Sequence, residues 1–388
     1  MKERTRLTSA TLGRANSRRA VNVAVERGST VLMESAEVLY NDDIKPTYGT
    51  DGLSTQSELC RLIADLEGAY QSFLLPTGLA ALTLPIFAFL QAGDEILVVN
   101  STYAPVRRFL ETQMKRFGVV ARYYDPKLSP EDVLSLATAA TKMIYVESPG
   151  SLTFDVQDIP GIAKLARSRG ILTLCDNTYG SGVLFKPLAH GVDLAMQALT
   201  KYVGGHSDVL MGSVSVSDPK LAKTIYNAIK AWGFFTSADE CYLAIRGLRS
   251  LHLRLKQSAD SGLKIARWLE SRAEVLRVVH PSLASHPNQT IFARDFTGPN
   301  GLFMAIFKGD GEKQSQAFLN ALKLFGLGFS WGGFESLAVN CEPQIKNRAR
   351  LSDEPDPYQA GSAIRFYVGL EDADDLITDI EQALAVFR

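Results

Sequence analysis

The pattern of apolar and polar positions divides the 388-residue chain into three textures. Residues 1–50 are polar and turn-rich, with Asn41, Asp42 and Asp43 followed by Pro46. A segment of this kind buries little surface on its own. It is expected as an extended arm with one short helix, lying on the main body or on a neighbouring subunit. From about residue 58 to 247, short apolar runs alternate with amphipathic stretches. Glu58–Leu66 spaces its apolar residues helically and stops near Gly68, and Val156–Arg169 does the same before Gly170. Ser72–Leu75 is a short apolar run, followed by Pro76, Thr77, Gly78 and an apolar helix in which Pro85 is expected to introduce a bend. Asp94–Val99, Lys142–Val146, Ile171–Leu174 and Asp193–Ala198 read as strands. Short apolar strands interleaved with helices indicate a mostly parallel sheet covered by helices.

Beyond about residue 248 the texture changes. A long basic amphipathic helix over residues 250–271 leads away from the sheet. After it come a strand at Gly301–Phe307, a helix near Lys313–Leu324, a strand at Ala363–Val368 and a last helix from Asp372, whose acidic first turn suits the helix dipole. The expected organisation is an α/β protein with an arm (residues 1–50), a large domain (51–247) and a smaller α+β C-terminal domain (248–388).

Composition narrows the function more than the fold. At 46% hydrophobic and 21% charged residues the chain can bury a large core, and a formal net charge of −1 calls for neither nucleic acid nor an anionic membrane as partner. The basic start, MKERTRLTSATLGR, is not followed by an apolar stretch of the secretory kind, and no apolar run approaches a membrane span. Cys60, Cys175, Cys241 and Cys341 are widely spaced with no CxxC pair, and the histidines lack metal-ligand spacing, His280 and His286 being the nearest pair. No metal is therefore expected, and a reducing, cytoplasmic setting is.

Four stretches carry candidate chemistry. In DLAMQALTKYVGGHS (193–207), Lys201 follows an apolar strand and precedes two glycines. Burial lowers an amine's pKa and makes it nucleophilic toward carbonyls, although a structural lysine at a strand end has the same signature. In ILTLCDNTYGSG (171–182), an apolar strand delivers Asp176 to its C-terminal end, the edge where open α/β sheets bind ligands. A carboxylate there can hold a pyridine nitrogen protonated, or can simply cap a turn. In LPTGLAAL (75–82), a glycine turn opening a helix offers N–H groups to an anion, as ordinary caps also do. In NSTYAP (100–105), Tyr103 follows a strand and could stack on a flat ring or serve packing alone. Together, the lysine, aspartate, aromatic and phosphate-cradling groups are what pyridoxal phosphate requires. A nicotinamide dehydrogenase is disfavoured, because no GxGxxG follows an early strand.

The order and spacing of PTG, NSTYAP, ESPGS, DNTYGSG and TKYVGGHSD resemble the Cys/Met-metabolism family of pyridoxal-phosphate enzymes from about residue 48 to the end. Asp193–Ser207 matches that family's lysine motif except at Leu199, where a small residue is usual. SWGGFESL (330–337), IRFYVGLED (364–372), IRGLRSLHLRLKQ (245–257) and DFTGPNGLF (295–303) are most similar to its bacterial β-lyase branch. The resemblance implies the aspartate-aminotransferase-like fold type I and a homotetramer built from dimers that share active sites. It implies Lys201 as the Schiff-base lysine and proton carrier, Asp176 at the pyridinium nitrogen and Tyr103 over the ring. Gly78, Leu79 and Thr200 would hold the phosphate, Arg365 the substrate α-carboxylate, and Ser330 and Trp331 the rest of the substrate pocket. Tyr48 would reach the neighbouring subunit's site. The implied reaction is α,β-elimination of L-cystathionine to homocysteine, pyruvate and ammonia. The alternatives are a γ-lyase, an O-acyl-homoserine sulfhydrylase, a cysteine or cystine desulfhydrase, and a cofactor-binding regulator without turnover.

One position departs from the family. Thr50, followed by Asp51, stands where an arginine usually contacts the phosphate across the interface. Losing such a charged hydrogen bond costs about 1.5–3 kcal/mol, and a nearby carboxylate would oppose the phosphate. The expected consequence is weaker cofactor binding, a substitute cation or a shifted substrate preference.

Overall fold

The structure is a computed structural model that describes residues 2–9, 20–41, 43–309, 311–351 and 356–388. Within the expected arm, residues 1, 10–19 and 42 lie outside the described residues. Among the described residues of the arm two short α-helices form rather than one, Glu3–Thr8 and Ala36–Leu39. The first is anchored: Leu7 is fully buried, and Glu3 pairs with Lys186 at 2.5 Å and with His252 at 3.2 Å.

Seven strands make the large sheet: β1 (Gln71–Leu75), β2 (Glu95–Val99), β3 (Val120–Tyr124), β4 (Thr141–Glu147), β5 (Leu172–Asp176), β6 (Leu194–Ala198) and β7 (Gly212–Val216). Their order is β1-β7-β6-β5-β4-β2-β3. Strands β6, β5, β4, β2 and β3 are parallel, and β7 runs antiparallel to both its neighbours. β2 and β4 to β6 are largely buried, which is why they read as continuous apolar runs. Two strands escape the hydrophobic pattern for opposite reasons. β3 is half exposed at the sheet edge. β7 is fully buried but alternates serine with valine, and its Ser215 hydroxyl meets that of Ser72 on β1 at 2.6 Å, so a buried strand carries polar letters.

Local signals set the helix ends. Ser54–Glu67 stops at Gly68, which is left-handed at φ 67°. Ile159–Ser168 begins later than the periodicity suggests, because Asp158 accepts from Gly161 N and Pro160 fits only a first turn. Pro85 lies inside Gly78–Phe89.

The second sheet has five strands: β8 (Val275–Val279), β9 (Leu302–Phe307), β10 (Gly326–Leu327), β11 (Leu337–Asn340) and β12 (Ser362–Tyr367). Their order is β10-β11-β12-β9-β8, antiparallel except for β10 with β11. One helix, Ala238–Glu270, joins the two halves. Its Cys241, Leu248 and Leu255 belong to the large apolar core, and its Ile265, Ala266 and Leu269 to the small one. Residue 247 therefore lies within an unbroken helix, and the change of core falls between Leu255 and Ile265. No helix among the described residues is long and apolar enough to cross a membrane.

Candidate active site

The parallel strands β4, β5 and β6 end side by side. Glu147 closes β4, Asp176 closes β5, and Lys201 lies just beyond the end of β6. Loops from the second sheet, carrying Ser330 and Trp331, face these ends, with Arg365 standing on β12. Between them lies a cavity of about 960 Å³. Gly78, Leu79, Tyr103, Asp176, Thr200, Lys201, Ser330, Trp331 and Arg365 all line it. Tyr48 does not line this cavity; it is half exposed in the turn before Gly49–Asp51.

Lys201 Nζ donates to Ser330 Oγ at 2.6 Å and lies 5.5 Å from the centre of the Trp331 ring. Burial, then the nearby Arg365 guanidinium, lower the Lys201 ammonium to about 8 against the pull of Asp176. Ser330 also accepts from Arg365 Nη2 through its carbonyl, at 2.9 Å, and holds φ at +85°. One strained serine thus joins the amine to the guanidinium. The loop comes this close because Gly332, at φ +88°, has no side chain; a Cβ there would sit 2.7 Å from Tyr202 N and 2.8 Å from Lys201 C. Arg365 Nε is buried and has no hydrogen-bond partner among the described residues.

At the opposite wall, Gly78–Phe89 points its N-terminus into the cavity. Thr77 Oγ1 takes Ala80 N–H, at 3.0 Å, whereas the N–H groups of Gly78 and Leu79 precede any intrahelical acceptor. A Cβ on Gly78 would lie 2.6 Å from that of Ala198, so only glycine brings this backbone against β6. The Thr200 hydroxyl is engaged with the backbone of Met211, bonding both its N and its O.

Asp176 Oδ1 accepts from Thr178 N at 2.9 Å. Burial raises its pKa, opposed by Thr178 and by Lys201. Glu147 is absent from the residues that the sequence pattern picks out, although its signal, a carboxylate closing an apolar strand, is the same as for Asp176. The apolar pattern ends this strand at Val146, one residue short.

Thr50 and Asp51 answer the question their sequence raises. Lys230 Nζ reaches Asp51 Oδ1 at 2.7 Å and Thr50 Oγ1 at 3.1 Å. Asp51 Oδ2 accepts from Thr47 N and Tyr48 N, closing the turn. The carboxylate is thus neutralised within its own chain, and a cation stands beside Thr50.

A helix N-terminus with unused N–H groups, a glycine cradle, a depressed lysine and a strand-end aspartate around one cavity form the site of a fold type I pyridoxal-phosphate enzyme, and the residues present fit that cofactor. The model of the Cys/Met metabolism PLP-dependent enzyme family matches residues 5–385, and the chain belongs to this family. It is 42% identical to a protein of Rhizobium johnstonii provisionally named cystathionine beta-lyase, covering 94% of this chain and 91% of the relative. It is 36% identical to cystathionine beta-lyase of Bordetella avium (94% and 92%) and 34% identical to L-alanine/L-glutamate racemase of Wolbachia pipientis (99% and 97%). The crystal structure of metB from Corynebacterium glutamicum matches with a TM-score of 0.91 at 29% identity, over 100% of this chain and 99% of that one.

Proposed function

We propose that this chain cleaves the carbon–sulfur bond of L-cystathionine by α,β-elimination, releasing homocysteine and an aminoacrylate that one water hydrolyses to pyruvate and ammonia. The supporting observation is the Lys201–Ser330–Arg365 linkage, which couples a basic amine to a carboxylate-binding fork. Pyridoxal phosphate, when bound, supplies an electron-withdrawing ring that accepts the electron pair left at the substrate Cα. Gly78 and Leu79 hold its phosphate through backbone N–H groups, and the Thr200 hydroxyl joins them on exchanging its Met211 bonds. Asp176 keeps a proton on the ring nitrogen, and Tyr103 covers the ring.

Arg365 binds the substrate α-carboxylate, its unpaired Nε being an available donor. Lys201, brought to about 8, is deprotonated in a useful fraction at neutral pH and takes the Cα proton. It then carries the proton that the departing sulfur requires. Trp331, beside Lys201, narrows the pocket around the sulfur arm.

Tyr48, exposed in this chain, serves the neighbouring subunit's site in a homotetramer. The four cysteines are free, in keeping with a cytoplasmic setting. The family also contains a relative named as a racemase, an activity that needs the same Cα proton transfer. The discriminating experiment incubates holoenzyme with L-cystathionine, and separately with L-alanine. Pyruvate and free thiol in equal amounts support β-elimination. Thiol accompanied by 2-oxobutyrate reassigns the chain to γ-elimination, and loss of L-alanine optical activity with no pyruvate from cystathionine reassigns it to racemisation.

A further inference from the structure

Glu147 and Asp176 are register partners at the ends of β4 and β5, so their side chains leave the sheet on one face, and both line the cavity. Two buried carboxyls side by side do not both ionise without compensation. The compensation is unequal. Lys201 faces Asp176, which also takes the Thr178 N–H. Around Glu147 the groups are neutral or acidic. Its Oε2 accepts from Tyr103 N at 2.8 Å and from the Tyr145 hydroxyl at 3.1 Å, and the remaining influences are burial, the charge of Asp176 and the Ser151 backbone. Of the other cations that line the cavity, Arg365 faces Tyr103 and Lys201, Arg107 pairs with Glu111, Arg348 pairs with Asp356, and Arg108 is exposed. Burial first, then Asp176, hold Glu147 well above the usual carboxylate range.

We propose that Glu147 is a positioning residue that stays protonated, anchoring the backbone of Tyr103 at the cavity wall and leaving Asp176 as the single anion that faces the cofactor ring. The Oε2 bond reaches Tyr103 at its amide, where the chain turns from β2 into the helix Ala104–Phe109, so it fixes where the phenol stands. Were Glu147 ionised, two negative charges would face one ring nitrogen, and the Tyr145 proton would be contested between them. The inference rests on the cofactor site and not on which sulfur amino acid is cleaved, so it stands or falls separately from the reaction assigned above.

The test uses holoenzyme and cofactor binding rather than turnover. Glu147→Gln keeps an acceptor for Tyr103 and no charge. It is expected to retain the wild-type cofactor Kd within about 2-fold, and the midpoint of the pH titration of the cofactor's visible absorbance within about 0.3 unit. Glu147→Ala is expected to weaken cofactor binding by about 10-fold, and Tyr103→Ala to add little to it, since the first displaces and the second removes the same phenol from the ring. A Glu147→Gln midpoint displaced by about one unit or more would show an ionised Glu147 and overturn the proposal. So would additive losses in Glu147→Ala and Tyr103→Ala. Infrared difference spectra of the wild type at pH 7 give an independent reading: a protonated-carboxyl band lost in Glu147→Gln supports the proposal, and its absence from the wild type refutes it.

Discussion

Asp176 and Asn177 are consecutive, yet they serve opposite sides of the same strand end. Asp176 faces the cavity beside Glu147. Asn177 turns to the back, where its amide donates to Glu67 at 3.1 and 3.2 Å and to Phe185 O at 3.0 Å. Each side buries a glutamate, and the two are treated differently. Glu67 is met by the side-chain amides of Asn177 and Gln197, with Lys186 nearby tying the helix end to Glu3. The front leaves Arg365 Nε without a partner among the described residues, Lys201 depressed by burial and Ser330 at positive φ. The back, apart from Asn177 Oδ1, which has no partner among the described residues, is bonded within the chain and holds the fold together. The front retains unmet donors and strain, which a ligand would relieve, as expected where function is maintained against stability.

That contrast is open to attack by substitution. The largest effect belongs to Lys201→Ala, which is expected to reduce turnover by at least about 10³-fold. Because it removes a desolvated amine, the apo-protein melting temperature should stay equal or rise; a fall of several degrees would mean that Lys201 is a structural residue. Gly332→Ala comes next. The added methyl forces the 330–334 loop off the Lys201 backbone, and activity should drop about 10- to 100-fold by loss of alignment, while cofactor absorbance persists in the folded variant.

On the back, the test is one of pH. Burial raises the Glu67 carboxyl to about 7, above its unfolded value, against the bonds from Gln197 and Asn177. Between about pH 4.5 and 7 the native state then holds a proton that the unfolded chain has lost, so this group's contribution to stability falls as pH rises. Glu67→Gln lacks that fall. Its denaturation free energy relative to wild type should improve by on the order of 2 kcal/mol from pH 5 to pH 8, with turnover nearly unchanged. An equal difference at both pH values would exclude the raised carboxyl.

The smallest effect belongs to Asp51. Partial burial opposes its ionisation, but Lys230 and the Thr47 and Tyr48 donors outweigh this and hold it below the usual range. Its contribution is therefore present above about pH 4 and is lost as the pH drops further. With Lys230 partly exposed, Asp51→Asn should cost only about 0.5–1 kcal/mol at pH 7, shrinking toward zero in acid. A cost independent of pH in urea unfolding would assign the effect to the turn rather than to the charge.

The site residues legible in the sequence are those that sit beside a recognisable strand. Lys201, Asp176 and Tyr103 each come after an apolar strand, and Gly78 opens a helix after β1. Each therefore carries its position at the sheet edge in its own neighbourhood, and the cavity collects all four. Glu147 obeys the same rule but escapes the pattern, because an ionisable residue usually ends a strand rather than belonging to it. β7 is hidden because it buries serines, of which Ser215 pairs with Ser72 across the sheet. β3 is hidden because an edge strand keeps no apolar period.

From sequence alone came the alternation that specifies a parallel sheet, the polar arm and the motif order that points to the cofactor. These are local or linear properties, set by side-chain period, turn residues and spacing. Tertiary structure alone decided that Ser330 bridges Lys201 and Arg365, residues 129 and 35 positions away from it. It also decided that Lys230 neutralises Asp51 across an interval of 179 residues, and that Glu147 stands in register with Asp176. Such pairings depend on strand order and on burial, because a charge takes its energy from the groups packed around it, wherever in the chain they originate.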